Sequence, residues 1–299
     1  MNILKIVYSS IRNTPNIYRS IVGNRVVSNI SNNTNSEFHK NNWSISKYFY
    51  LFTDTFIPSL PIYCPSWMPN IIRKTIFGGN SVFLEDIDTV NNPQPEQSFL
   101  FINGILTNET IIQQNIQLLK NKFNRPIHCV FNKTDSLIMD LLECVIGKQT
   151  TDLTEASLLG LSSISKILLN PEINKLVIIC HSQGTIIISQ ILRNLDKFGL
   201  KKLEYLKKIE IYAFGCCASN MKYLLTDNDN NHYPYMEHFA NENDIVAKMG
   251  CNHSKDIEDY IDIDGSIFIN KGKSGHLFNS HYMDNFVQDY PESKLISYL

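Results

Sequence analysis

The chain has 299 residues, enough for one large domain with a buried core and a cleft. A net charge of −2 and a pI near 6.4 leave no basic excess to reward a phosphate backbone, which argues against a nucleic-acid partner. The seven cysteines (Cys64, Cys129, Cys144, Cys180, Cys216, Cys217 and Cys251) form neither a Cys-x-x-Cys pair nor a spaced zinc set, so they read as reduced intracellular thiols.

No run reaches the roughly 18 apolar residues that a membrane-spanning helix requires. Residues 1–36 carry Lys5, Arg12, Arg19 and Arg25 and no acid, which is also how an organelle-targeting arm is composed. The Asn-, Ile- and Lys-rich bias of the whole chain generates such stretches without purpose. Asn24 to Asn42 is polar and without periodicity, which predicts a linker or a disordered loop.

From Tyr48 to Phe77, Pro58, Pro61, Pro65 and Pro69 interrupt Phe56, Leu60, Ile62, Trp67 and Met68 and exclude a regular helix. One reading is an irregular segment wrapped over the body; the other is an apolar surface for peripheral membrane or lipid contact. Beyond residue 80, short apolar runs alternate with amphipathic ones, the pattern of a mostly parallel sheet covered by helices. Strands are predicted at 98–103 (SFLFIN), 126–131 (PIHCVF), 175–180 (KLVIIC), 208–214 (KIEIYAF) and 235–240 (YMEHFA). Helices are predicted after an Asn108 cap, over 137–146, from Asp152 with Glu155 as a capping box, over 185–198 and over 282–290.

The strand KLVIIC runs straight into Cys180-His181-Ser182-Gln183-Gly184 and then into a helix. A serine on so tight a strand-to-helix turn needs small flanking residues, and the free N–H groups of the helix stabilise negative charge beside it. This segment resembles the nucleophile elbow of the α/β-hydrolases, with Cys180 standing where the pattern Gly-x-Ser-x-Gly has its first glycine. His181 is expected to point away from the cleft, packing or bonding to a neighbouring strand.

The resemblance spans about residues 81–299 as an α/β-hydrolase domain of lipase-like or esterase-like character, with residues 1–80 as an N-terminal extension. It implies Ser182 as nucleophile, then an acid, then a histidine in chain order. Asp244, in the loop after YMEHFA, is the implied acid, ahead of Glu242 and Asp227. Two histidines fit the base, with His281, before the expected last helix, preferred to His276. The implied oxyanion donors are the backbone N–H groups of Gln183 and Ile105, the latter beside Asn103-Gly104, and Thr107 could add a hydroxyl. Asn132 to Asp135 lies where substrate contacts often arise and reads equally well as a polar turn.

The chemistry implied is acyl transfer from an ester, of a lipid or a smaller acyl compound, in an intracellular, cytoplasmic or membrane-peripheral setting. It requires neither a metal nor an organic cofactor. The alternatives are a catalytically silent binding protein of the same fold and a peripheral membrane protein acting through Tyr48 to Phe77.

Overall fold

The computed structural model describes residues 33–44, 46–47, 81–85, 92–104, 107–132, 153–253 and 261–299. The segment over 48–77, the helix expected over 137–146 and the basic arm before residue 33 lie outside the described residues.

Seven strands form the central sheet: β1 (Val82–Leu84), β2 (Gln97–Ile102), β3 (His128–Phe131), β4 (Lys175–His181), β5 (Ile209–Phe214), β6 (Tyr235–Asn241) and β7 (Ser266–Asn270). Their order is β1-β3-β2-β4-β5-β6-β7, parallel throughout except for β1, which runs antiparallel to β3. The five predicted strands are all present. β1 and β7 were not predicted, because both are short and partly exposed and lack the continuous apolar run that marks a buried parallel strand.

Alternation along each strand divides the core in two. Leu100, Ile102, Ile178, Cys180 and Ile211 face helices α2 (Glu155–Leu169) and α3 (Gln183–Asn194). Phe99, Phe101, Val177, Ile179 and Phe214 face α1 (Glu109–Phe123) and the C-terminal segment. Burying each such side chain contributes about 1.5–3 kcal/mol, so the strands are held by both faces at once.

The helix starts follow their caps. Asn108 accepts from the Ile111 N–H at 3.0 Å, as predicted for α1. For α2 the capping residue is Thr154, whose hydroxyl accepts from the Ser157 N–H at 3.2 Å. The expected Asp152–Glu155 box is displaced because Glu155 is already the first helical residue. The last predicted helix is also different: a π-helical turn, Phe278–Met283, precedes a short helix α4, Phe286–Asp289.

Residues 33–42, the described part of the stretch from Asn24 to Asn42 expected to be linker or disordered loop, are folded against that π-helical turn. Glu37 is buried, and its carboxylate accepts from the backbone N–H of Asn279, from the Ser280 N–H at 3.2 Å and from the Ser280 hydroxyl at 2.7 Å. Those N–H groups open a helical turn and have no intrahelical acceptor, so the acid caps it. Asn33 and Asn35 donate to the two carboxylate oxygens of Asp284 at 3.0 and 2.9 Å. Composition gave no sign of this, because Asn and Ser serve a cap as readily as a linker.

At the opposite end of the sheet, Glu210 accepts from Lys175 at 2.8 Å, Lys294 at 2.7 Å, the Tyr212 hydroxyl at 2.7 Å and the Tyr298 hydroxyl at 2.8 Å. Burial alone would raise its carboxyl, but the lysines and hydroxyls prevail and hold it at about 2, against an ordinary 4.5. A depressed carboxyl contributes stability that is present above the unfolded value and lost as pH falls from about 4.5 toward 2. Thermal melts should therefore show Glu210→Gln less stable than the parent at pH 7, with the gap narrowing below about pH 4.5 and closing toward pH 2. A constant gap would contradict the assignment.

Among the described residues, no helix is long and apolar enough to cross a membrane.

Candidate active site

β4 ends at His181, α3 begins at Gln183, and Ser182 alone makes the turn, with φ 56° and ψ −124°. An L-residue held there costs about 1–3 kcal/mol and persists only where its surroundings impose it. The Ser182 N–H donates to the Phe214 carbonyl at 3.0 Å. The Ser182 carbonyl accepts from the Thr185 hydroxyl at 2.7 Å and the Thr185 N–H at 2.9 Å. The Thr185 oxygen in turn accepts from the N–H groups of Cys217 and Ala218 at 3.2 and 3.3 Å.

Two glycines admit this turn. A Cβ on Gly184 would lie 2.3 Å from the Ile102 carbonyl oxygen, and one on Gly104 would lie 2.3 Å from the Ser182 Cβ. Cys180, in the position of the missing glycine, is accommodated because its side chain belongs to the α2/α3 side of the core.

Asp244 lies just beyond β6 and is fully buried. Its Oδ2 accepts from Nδ1 of His276 at 2.7 Å and from the Tyr282 hydroxyl, while Oδ1 accepts from the Val246 N–H at 2.9 Å. Burial pushes the Asp244 carboxyl up, but the adjacent His276, the Tyr282 hydroxyl and the Val246 N–H outweigh it and hold the carboxyl below its ordinary value. With Asp244 ionised, the His276 proton resides on Nδ1, leaving Nε2 as an acceptor. That Nε2 is buried and has no hydrogen-bond partner.

His276 lies one strand over from Ser182, above the residue that follows β5. Its ring lies over Gly215, where a Cβ would stand 2.7 Å from Cε1 and 3.1 Å from the Asp244 Oδ2. Gly215 follows β5 as Ser182 follows β4, and His181 and Phe214, the residues just before them, are paired in register. His181 packs and hydrogen-bonds as expected, but on the loop after β7 rather than on a neighbouring strand: its Nε2 lies 2.7 Å from the His276 carbonyl oxygen and the two rings are 4.5 Å apart. Burial, and next the neighbouring His276, hold the His181 imidazole well below its ordinary value, so it is neutral. The structure contains no hydrogen bond between Ser182 and His276, in keeping with a catalytic contact that tightens on substrate binding.

His281, the histidine preferred from sequence, is not beside Asp244. Its Nδ1 accepts from the Leu277 N–H at 2.9 Å, and its ring packs on Gly275, where a Cβ would be 2.6 Å away. The imidazole folds back on its own turn and orders the loop that carries His276. The missed signal was β7: once SIFIN is read as a strand, the loop after it leads directly to His276.

Of the expected oxyanion donors, Gln183 opens α3 behind Ser182, and Ile105 lies outside the described residues. The loop before it is anchored by Asn103, whose side-chain amide donates to the carbonyls of Gly104 at 2.8 Å and Asn132 at 2.7 Å and accepts from the Asn132 N–H at 2.8 Å. The Asn132 side chain donates to that of Gln183 at 2.7 Å, so the ends of β2, β3 and β4 are fastened together. Thr107 is buried, and the rest of the Asn132–Asp135 segment lies outside the described residues.

Serine at a strained strand-to-helix turn, an acid after the next-to-last strand and a histidine after the last reproduce the expected chain order. The fold is α/β, a mostly parallel central sheet flanked by helices. Among solved structures the chain is similar to Est1E from Butyrivibrio proteoclasticus, at 10% identity and a TM-score of 0.36, over 70% of this chain and 95% of that one. The same protein with ferulic acid bound gives 10% identity and a TM-score of 0.33, over 70% and 91%. No protein-family model matches the sequence, and no match to a curated protein was found. The assignment of roles therefore rests on this chain's own geometry. Among the described residues, no group of three or more His, Cys, Asp or Glu side chains is arranged to hold a metal ion.

The close approaches at the elbow make a testable contrast. Gly184→Ala sets a Cβ against fixed backbone and should cost about 3 kcal/mol in denaturant unfolding. Gly199→Ala, left-handed but facing open space, should cost about 1–2 kcal/mol. Equal losses would count against the packing argument.

Proposed function

We propose that this protein is a serine hydrolase that cleaves a carboxylic ester, with Ser182 as nucleophile, His276 as general base and Asp244 as the acid that orients it. The observation that carries the reading is the buried His276: its Nδ1 is fixed on Asp244 at 2.7 Å, and its Nε2 lacks a partner one strand from a strained serine.

In the proposed reaction His276 Nε2 takes the Ser182 proton as Oγ attacks the ester carbonyl, and Asp244 stabilises the imidazolium. The negative charge on the carbonyl oxygen falls at the N-terminus of α3, where the Gln183 N–H and the dipole of a 12-residue helix support it, with Ile105 as the second expected donor. His276 returns the proton to the departing alcohol. Water then resolves the acyl-enzyme by the same path. Acyl and lipid esters are the substrates to which this reading points.

Fluorophosphonate labelling followed by hydrolysis of p-nitrophenyl esters of graded chain length tests the proposal. The parent should label and turn over, and Ser182→Ala should do neither. His276→Ala should lower kcat by about 10⁴-fold, whereas His281→Ala, touching only the loop, should stay within about tenfold. The reverse ranking would return the base to His281. A folded parent that neither labels nor hydrolyses any ester would favour the silent binding protein.

A further inference from the structure

Asp244 has a second donor that the proposed chemistry does not use. The Tyr282 hydroxyl donates to Oδ2, the same oxygen that accepts from His276, and itself accepts from the Asn241 N–H at 3.3 Å. Tyr282 is fully buried, and its ring is fixed edge-on against Phe214, with centroids 5.9 Å apart, and against His181 at 6.1 Å. A tyrosine buried in this way would normally bond to backbone or water; here it is spent on one carboxylate oxygen.

We propose, building on the reading of Ser182, His276 and Asp244 as a triad, that Tyr282 is a positioning residue that fixes the Asp244 carboxylate and limits how strongly it attracts the His276 imidazolium. Three donors, His276 Nδ1, the Tyr282 hydroxyl and the Val246 N–H, converge on two oxygens and leave the carboxylate no freedom to rotate. Sharing Oδ2 between two donors lowers its basicity toward either, so the tyrosine moderates the imidazole from the far side of the acid.

The position is built for this. Tyr282 lies on the π-helical turn Phe278–Met283, a form common at functional sites, and the turn begins two residues after His276. Both histidine and tyrosine thus reach Asp244 from one short piece of chain. The Asn241 side chain donates to the carbonyls of Gly275 at 3.0 Å and His281 at 3.2 Å, binding both ends of that piece to the end of β6.

Other titratable groups stand around this cluster. Burial and next His276 hold the His181 imidazole, at the end of β4, well below its ordinary value, and His281 adds to that. The Cys251 thiol is pushed up first by its hydrogen bond with Cys216, whose own thiol is held well below its ordinary value, and the Tyr290 hydroxyl is pushed up by burial, then by Asp289 and Asp244. Among the described residues, Tyr282 and His276 are the side chains bonded to Asp244. Burial and next Asp244 push the Tyr282 hydroxyl up as well, so it donates at every working pH.

The experiment is the pH dependence of kcat and KM for a p-nitrophenyl ester in Tyr282→Phe, which keeps the ring and its packing. The expected result is a fall in kcat of about tenfold with KM within twofold, and an acid limb of kcat/KM moved up by about half a pH unit. A purely structural role would lower the melting temperature and the active fraction but leave the profile of titrated active sites in place. Replacement of Tyr282 by p-aminophenylalanine, which retains an N–H donor, should restore the parent profile, and it provides the comparison should the phenylalanine variant fold poorly. A parent-like profile in Tyr282→Phe, or a p-aminophenylalanine variant whose profile stays shifted like that of the phenylalanine variant, overturns the proposal while leaving the triad standing. Loss of labelling at Ser182 in the parent itself would remove both.

Discussion

The backbone of Ser182 is the constraint from which the rest of the site follows. At φ 56° the chain turns from strand to helix within one residue, presenting Oγ above the sheet and aiming the first N–H groups of α3 at the same point. Neither could be had separately. The cost is met by neighbours that cannot move: Gly184 against the β2 carbonyls, Gly104 against Ser182 itself, and Thr185 bridging the Ser182 carbonyl to the chain after β5. The elbow is thus held by three adjacent strands, and each contributes at its C-terminal end.

Three buried carboxylates show how differently one fold stabilises the same group. Glu210 has two lysines and two phenols and is strongly acidic; Asp244 has a histidine, a phenol and an N–H and is modestly so. Glu37 receives only N–H and O–H donors and no cation, and burial leaves its carboxyl raised. The order follows charge, because a formal cation at hydrogen-bond distance offsets desolvation more fully than a dipole does. It also follows purpose. Glu210 ties the C-terminal segment to the sheet, Glu37 caps a turn, and Asp244 holds the ring of His276.

Much of the fold was legible because parallel strands buried on both faces leave continuous apolar runs, and five such runs became β2 to β6. The turn at Ser182 was legible for a related reason: a motif of five residues gains meaning only from KLVIIC before it and a helix after it. The place of Asp244, just beyond a strand, was legible from YMEHFA. The histidine was not, since His276 and His281 occupy one short segment and differ in what a π-helical turn does to them, a backbone choice without a sequence period. Tyr282 escaped notice for the same reason, having been assigned to a regular helix. Residues 33–42 were misjudged because a cap on a distant turn leaves no local pattern.

What these missed parts share is separation along the chain. Glu37 reaches Ser280 across 243 positions, Asn33 reaches Asp284 across 251, and Asn241 reaches the Gly275 carbonyl across 34. The segment bearing His276 and Tyr282 is therefore fixed by residues drawn from near the start, the middle and the end of the described chain. Ordering it requires that the sheet already be closed from β2 to β7, since Asn241 and Gly215 are strand-end positions. The elbow differs: β4 and α3 are contiguous, and their packing on β2 and β5 is enough to impose the strained serine. The two halves of the site then rest on different parts of the fold, with Ser182 set by the centre of the sheet and His276 by its edge. A perturbation at the edge would displace His276 from Gly215 while leaving Ser182 in its turn, so the base is the more fragile half of the proposed catalytic pair.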